Sequence, residues 1–523
     1  MRSLVALFLI FLVYHAWFLP GALSSGDWPY LFLENIQEFS FLPDPHSLWL
    51  GAYYQIPTKI LVQYLGISWE VVERLLWFWP FLLLSIFSSY HLTKSWIGVL
   101  VYTTNTYILM VVSGGQMGIA MAYAIAPFIL KKFMDFANSN LFLIQSKKIF
   151  RESIVLGLIL AVLTMFDPRI AYIFMIAVVI YASFTIVSTR SSFSHITHFA
   201  TSIFIVPVGM AALLNSYWII PLLFGNLSQK YEGLSSIAGF EFLSFTDFSH
   251  AFSLLHSNWP ENIFGKVYFL QPEFLIIPIL GYSALFFVQK DRKVLYFAFL
   301  ILVGAFLAKG TNQPFGEINK LIFENIPGMN MFRDASKFYL LIALGYSFLI
   351  SFSLKNISKK IPFGKLIPLI FVLFWCILIR QAIFGELGGT FKSRSIPDEY
   401  IELKRYLISQ PQYSSSLWIP SRQRFGFSSN LHPGISASDI LGSSDPLRMA
   451  KVISNDKDKT VYNKLKEMKI EQIIVPYDSD KELFILDRKY SDPLRDKVVT
   501  QLDKIEWLIK IPRFSENAIY RVQ

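Results

Sequence analysis

A short series of ionisable residues stands where the apolar runs of this 523-residue chain give way to polar sequence. Asp27 follows the first run, in Ser24-Ser25-Gly26-Asp27-Trp28-Pro29-Tyr30. A carboxylate so placed is suited to take a proton from a sugar hydroxyl as general base, with Trp28 and Tyr30 offering ring faces to a pyranose or furanose. Ser-Gly-Asp is equally ordinary turn chemistry, and sequence alone leaves both readings open. Pro43-Asp44-Pro45-His46 either shapes a turn or brings Asp44 and His46 to an acceptor or metal. In Asp167-Pro168-Arg169, Asp167 is either a helix N-cap followed by proline at the first helical position, or a charged wall of a cavity shared with Arg169. Lys309, Arg333, Asp334 and Lys337 complete the series.

Arg333 and Lys337 are four residues apart at the expected start of a helix. That spacing predicts one shared face beside unpaired backbone N–H groups, an arrangement that attracts anions. Arginine supplies a planar fork for phosphate and lysine a mobile point charge. Interfacial snorkelling of two long side chains is the alternative. Asp27 with Asp44 or His46 leaves a divalent metal open, without a diagnostic ligand spacing.

The elements that must position these groups are long and apolar. With 54% hydrophobic and 16% charged residues, the chain carries more apolar sequence than a soluble domain of this size needs. Runs of spanning length centre on 4–20, 71–90, 95–112, 116–134, 153–166, 170–188, 199–224, 273–289, 294–308, 335–354 and 365–384, about eleven spans. The first is read as an uncleaved span, since Ala22-Leu23-Ser24 makes a poor signal cleavage site.

If Arg2 is cytoplasmic, one side of the membrane receives Lys94, then Lys131, Lys132, Lys147, Lys148 and Arg151, then Arg190, then Lys290, Arg292 and Lys293, then Lys355, Lys359, Lys360 and Lys365. This is the positive-inside pattern. It takes in most of the Lys and Arg outside the C-terminal region, so the +10 net charge does not call for nucleic acid as a partner. The opposite, external side receives 21–69, 167–169, 225–272, 309–334 and everything beyond 385, which gathers the candidate residues there, with Lys337 at the external end of the tenth run. The single cysteine, Cys376, lies in an apolar run and allows no intrachain disulfide.

From Gly385 hydrophobicity falls, and Ser416–Pro420 and Ile470–Pro476 are strand candidates among helical stretches. The expected fold is therefore an all-α polytopic membrane domain over 1–385 with a small extracytoplasmic α+β domain over 386–523. The location expected is the plasma membrane, with the N-terminus cytoplasmic.

Several segments resemble the GT-C superfamily of polytopic glycosyltransferases, in the branch of YfhO-type and arabinofuranosyltransferase-like proteins. They are Gly26-Asp27; Asn105-Thr106-Tyr107 with Gly114-Gly115-Gln116 and Pro127; Asp167-Pro168-Arg169; Asn215-Ser216-Tyr217-Trp218 with Pro221; Lys309-Gly310 with Pro314; Ile326-Pro327; and Phe332-Arg333-Asp334-Ala335-Ser336-Lys337-Phe338. Ile470–Pro476, Trp507 and Ala518–Val522 look like the end of that group's external domain.

The resemblance implies a polyprenyl-phosphate sugar donor, a glycan, lipid or protein acceptor, Asp27 as catalytic acid/base and a lipid-phosphate site near Arg333. The Trp-Trp-Asp signature of oligosaccharyltransferase catalytic subunits is absent, as is the carbohydrate-binding extension of the large arabinofuranosyltransferases. A lipid or glycan transporter, and a noncatalytic scaffold whose external domain binds an envelope partner, are the other classes that suit the topology. A transporter would place its polar groups nearer mid-membrane.

Overall fold

The computed structural model describes residues 2–23, 26–28, 50–140, 147–189, 193–224, 236–256, 270–287, 291–393, 397–410, 413–422, 425–443, 445–455, 459–477 and 492–523. Their contacts divide the chain into two compact units. The first comprises Met1–Phe18, Ser40–Pro57 and Glu73–Leu387. The second joins Leu19–Phe39 and Thr58–Val72 to Gly388–Gln523, so it draws on stretches that composition assigns to the membrane domain.

Helix occurs in every one of the expected apolar runs. Among the described residues, six helices are long and apolar enough to cross a membrane, or seven if one bent pair counts as a span. Ser3–Phe18, Pro272–Phe287 and Gly364–Leu378 are shorter apolar helices. The protein is a multi-pass membrane protein, and large apolar side chains such as Leu83, Phe87, Leu213, Ile370 and Leu373 are exposed on its helices, as lipid-facing positions require.

Ala335–Lys360 is central, with 89% of its apolar stretch buried, whereas Ile196–Leu214 is peripheral at 22%. The helix Tyr339–Lys360 packs against Arg292–Ala308 through reciprocal glycine notches. A Cβ on Gly345 would stand 2.3 Å from Ile301 Cγ1 and 2.9 Å from the Phe297 carbonyl oxygen; one on Gly304 would stand 2.8 Å from Ile342 Cγ1. Close approach at small residues gives van der Waals contact that lipid cannot supply.

The bent pair is Trp96–Thr104 and Thr106–Ser113, angled at 44° about Asn105. Asn105 closes both halves. Its Nδ2 donates to the carbonyls of Val101 (3.0 Å) and Tyr102 (2.9 Å) and to the Tyr123 hydroxyl (2.9 Å), while Oδ1 accepts from the Ile108 N–H (3.2 Å). An amide with both donor and acceptor is suited to such a junction, because it satisfies carbonyls of one helix end and an N–H of the next. Immediately beyond, Thr106 Oγ1 donates to the Leu254 carbonyl (2.8 Å) and accepts from the His256 N–H (2.9 Å), which fixes a distant loop to the break.

The second unit is built on a five-stranded sheet of β1 (Ser415–Trp418), β2 (Gly434–Ser436), β3 (Ile470–Val475), β4 (Leu508–Lys510) and β5 (Ala518–Val522), in the order β2-β1-β3-β5-β4. β1 pairs in parallel with β2 and β3, and β5 is antiparallel to β3 and β4. Leu417, Ile419, Ile473, Val475 and Tyr520 form its core with Met449 and Ile453. The strand candidates at 416–420 and 470–476 thus appear as β1 and β3. Glu399 anchors the helix Asp398–Ile408 by accepting from the backbone N–H groups of Ser515, Glu516 and Asn517 and from Asn517 Nδ2.

Two measurements test this packing. Gly345→Val should lower stability by about 1–3 kcal/mol, because a branched side chain has no room against Ile301 and the Phe297 carbonyl; thermal unfolding in detergent at an unchanged midpoint would contradict the notch. In the second unit, Lys404 lies over the Phe427 ring at 5.2 Å, and burial pushes its pKa down to about 8 from 10.5. The unfolded chain therefore binds more protons between those values, and stability rises with pH across that window. Lys404→Met should add about 1–2 kcal/mol below pH 8, a gain that fades toward pH 10.5; a pH-independent difference in melting would rule this out.

Candidate functional site

Asp167 sits between Lys147–Phe166 and the helix Pro168–Thr189. Pro168 has no N–H to lose, and Asp167 Oδ1 accepts from the next two, Arg169 (2.8 Å) and Ile170 (3.2 Å). The same carboxylate is gripped by the Arg169 side chain, Nε to Oδ1 at 3.1 Å and Nη2 to Oδ2 at 2.6 Å. The N-cap expected of Asp167 is made, and the same carboxylate also pairs with Arg169. The Asp167 side chain is 2% accessible and that of Arg169 30%.

Asp334 repeats the device. Its Oδ1 accepts from the Ser336 N–H (3.0 Å), capping the 3₁₀ turn Ala335–Phe338 that leads into Tyr339–Lys360. Its Oδ2 accepts from Lys337 Nζ at 2.8 Å, and both side chains are largely buried.

This corrects the shared face expected of Arg333 and Lys337. The helical backbone begins after Asp334, so Arg333 precedes it and is exposed, with its Cδ 3.6 Å from where a Cβ on Gly239 would stand. Lys337 turns instead to the carboxylate three residues earlier, because a buried ammonium needs a counter-charge close by.

The two ion pairs lie within one electrostatic neighbourhood. Pro168–Thr189 packs against the turn Ala335–Phe338, and the Tyr172 hydroxyl donates to the Pro327 carbonyl at 3.0 Å. Asp334 acts on Arg169, and Arg169 and Asp167 act on Lys337. Burial raises the pKa of Asp334, but the Lys337 ammonium and the hydrogen bonds from Lys337 and Ser336 outweigh it and hold the carboxyl well below its usual range. Two carboxylates and two cations sum to zero, so the cluster orients polar groups without drawing a net anion.

Two further residues border it. The Tyr107 hydroxyl feels the charges of Asp334, Asp167 and Arg169. Its ring stacks on Tyr339 at 5.4 Å and lies 5.4 Å from His256. Burial pushes the His256 pKa down to about 4, with Asp334 and Lys337 as opposing neighbours, so its imidazole is neutral at pH 7. Sequence reasoning missed His256 entirely. Tyr107 was visible only within the Asn-Thr-Tyr segment of the resemblance.

The remaining candidates lie elsewhere. Lys309, buried at the end of Arg292–Ala308, donates to the Asn312 carbonyl at 2.6 Å and lies 5.0 Å from the Phe306 ring centre. Asn312 in turn donates to the Ser244 and Thr246 carbonyls. Gly310 follows with φ +58°, and a Cβ there would meet Ser244 Oγ at 2.1 Å.

Asp27 belongs to the second unit, exposed in a turn after Gly26. Beside it, Trp28 is 5% exposed and stacks on Trp69 at 6.1 Å. Its ring is therefore packed inward, where a large apolar surface is most stable, rather than offered as an open sugar platform. Tyr30, Asp44 and His46 fall outside the described residues. Among the described residues no three His, Cys, Asp or Glu side chains converge as metal ligands.

No family model matches the chain, and no curated protein matches it. Among solved structures it is similar to the archaeal oligosaccharyltransferase AglB from Archaeoglobus fulgidus, in complex with an inhibitory peptide and a dolichol-phosphate. The TM-score is 0.50 at 10% identity, over 91% of this chain and 69% of the other. The likeness is one of fold.

The coupling of charges can be measured. Lys337→Met should cost about 3–5 kcal/mol by stranding a buried carboxylate, and Asp334→Asn in the same chain should recover much of it. Equal melting of single and double variants would show the pair to be uncoupled.

Proposed function

We propose that the chain is an integral-membrane glycosyltransferase. It moves a sugar from a polyprenyl-phosphate donor to a cell-envelope glycan, lipid or protein acceptor on the outer face, with inversion at the anomeric carbon. The observation that carries this reading is the Asp167–Arg169 and Asp334–Lys337 cluster at the ends of apolar helices, because ionised groups at such depth are costly and are kept for function. A fold similar to that of an oligosaccharyltransferase solved with a dolichol-phosphate supports it. About eleven spans, a cytoplasmic N-terminus and an extracytoplasmic C-terminal domain complete the proposed topology, from run lengths and lysine–arginine placement.

In this reading the lipid phosphate is the leaving group. Arg333 is exposed, and among the described residues no carboxylate lies within ion-pair distance of it, so its fork is available to phosphate. Lys337 holds Asp334 instead and is not available to the phosphate. Asp27 is the proposed general base that accepts the acceptor hydroxyl's proton, and Asp44 and His46 remain proposed partners for acceptor or metal.

A transporter is the second reading, and the helix broken at Asn105 favours it, since discontinuous helices form transport sites. Here, however, both ends of the Asn105 amide are occupied by protein.

Purified protein in nanodiscs, given labelled polyprenyl-phosphate sugars and envelope acceptors, tests the roles. Asp27→Asn should slow transfer by roughly 10²–10⁴-fold at unchanged donor binding. Arg333→Ala should raise the donor KM roughly tenfold. Unchanged rates in the first, or unchanged KM in the second, would remove the corresponding role. Movement of intact donor across a bilayer without transfer would favour the transporter.

A further inference from the structure

Among the described residues, the buried tyrosine hydroxyls of the first unit are hydrogen-bonded with one exception; Tyr181 donates to the Asn138 side-chain oxygen at 3.0 Å. Tyr14, Tyr102, Tyr123, Tyr296, Tyr339 and Tyr346 each donate their hydroxyl to a main-chain carbonyl. Tyr107 is as deeply buried, yet among the described residues its hydroxyl has no hydrogen-bond partner. A hydroxyl withdrawn from water and left without a partner is costly, and in native proteins such a group commonly awaits a ligand or water.

Its placement is over-determined. Asn105 caps the helix that begins one residue before Tyr107, and Thr106 is tied to Leu254 and His256. Tyr339 stacks parallel to its ring at 13° and is itself anchored on the Leu255 carbonyl. The fold therefore spends several hydrogen bonds on holding a phenol whose own hydrogen bond is not made. That hydroxyl lies in the field of Asp334, Asp167 and Arg169, and the Arg169 and Asp334 side chains are the more accessible members of their pairs, at 30% and 16%.

We propose that Tyr107 is a ligand-contacting residue, whose hydroxyl bonds a hydroxyl group of a neutral sugar ring seated against the Asp167–Arg169 and Asp334–Lys337 pairs. The pairs cancel in charge, so they favour an uncharged partner over a phosphate. Their alternating carboxylate and cationic groups match the adjacent donors and acceptors of a polyol. Access requires neighbouring side chains to move, since the Tyr107 hydroxyl is closed to solvent. This deepens the glycosyltransferase reading and rests on it for the choice of sugar, which belongs either to the lipid donor or to the acceptor.

The test uses the full chain in nanodiscs and measures thermal shift and equilibrium binding without turnover. The probes are undecaprenyl phosphate, undecaprenyl-phosphate mannose, glucose and arabinose, and the methyl glycosides of the same sugars. The parent should bind at least one sugar-bearing probe more tightly than its sugar-free counterpart. Tyr107→Phe should weaken that binding roughly tenfold while leaving undecaprenyl phosphate binding and melting temperature unchanged or improved. Preference for the lipid-linked sugars assigns the subsite to the donor, and preference for the glycosides to the acceptor.

Unchanged sugar affinity in Tyr107→Phe overturns the proposal. So does a parent that responds equally to sugar-bearing and sugar-free probes, and so does a fall in melting temperature without loss of sugar binding, which marks a structural hydroxyl. A parent that binds sugar through Tyr107 yet transfers none would retire the glycosyltransferase reading and leave the subsite standing.

Discussion

Two pairs of buried charges in this protein are neutralised within a few residues of where they arise. Asp167 caps one helix and holds Arg169 two residues on; Asp334 caps another and holds Lys337 three residues on. In a medium of low dielectric an unpaired ion is expensive, and pairing repays that cost only with good geometry and further hydrogen bonds. Each carboxylate meets both conditions, because the N–H groups it caps are donors that the helix start leaves unsatisfied. At these two helices the position of the first turn and the position of its charge are thus one decision. Arg333 is exposed because the Asp334 cap begins the helix after it.

Neutrality within the cluster also shapes the chemistry available there. A patch of like charge would seize phosphate and hold it as tightly before reaction as during it, which does not speed the chemical step. Compensated pairs beside an unengaged tyrosine hydroxyl present direction without net charge. The broken helix at Asn105 serves the same end, since it turns the chain so that Tyr107 and Thr106 meet the loop carrying His256.

Much of the architecture was legible in the chain because bilayer thickness and apolar run length are bound together. Each expected run holds helix, and the strand candidates near 416 and 470 became β1 and β3. Run length did not reveal how Leu19–Phe39 and Thr58–Val72 are assigned, because membership of a compact unit depends on long-range contacts rather than on composition.

The site was legible in its residues and less so in their partners. Asp167, Arg169, Asp334 and Lys337 stood out as charges beside apolar runs. The spacing of Arg333 and Lys337 misled, since a four-residue interval implies a shared face only if helix already exists at its first member. Trp28 misled in another way, for sequence does not tell an exposed ring from one stacked on Trp69. Fold likeness and site chemistry are separate warrants, and function is argued from the site.

The most direct measurement is a product analysis: purified protein in nanodiscs, a donor of known anomeric configuration, and NMR of what is formed. The account predicts a glycoside of opposite configuration and free polyprenyl phosphate released in equal amount. Intact donor recovered from a folded, donor-bound protein under every acceptor tried, or a product of retained configuration, would contradict it.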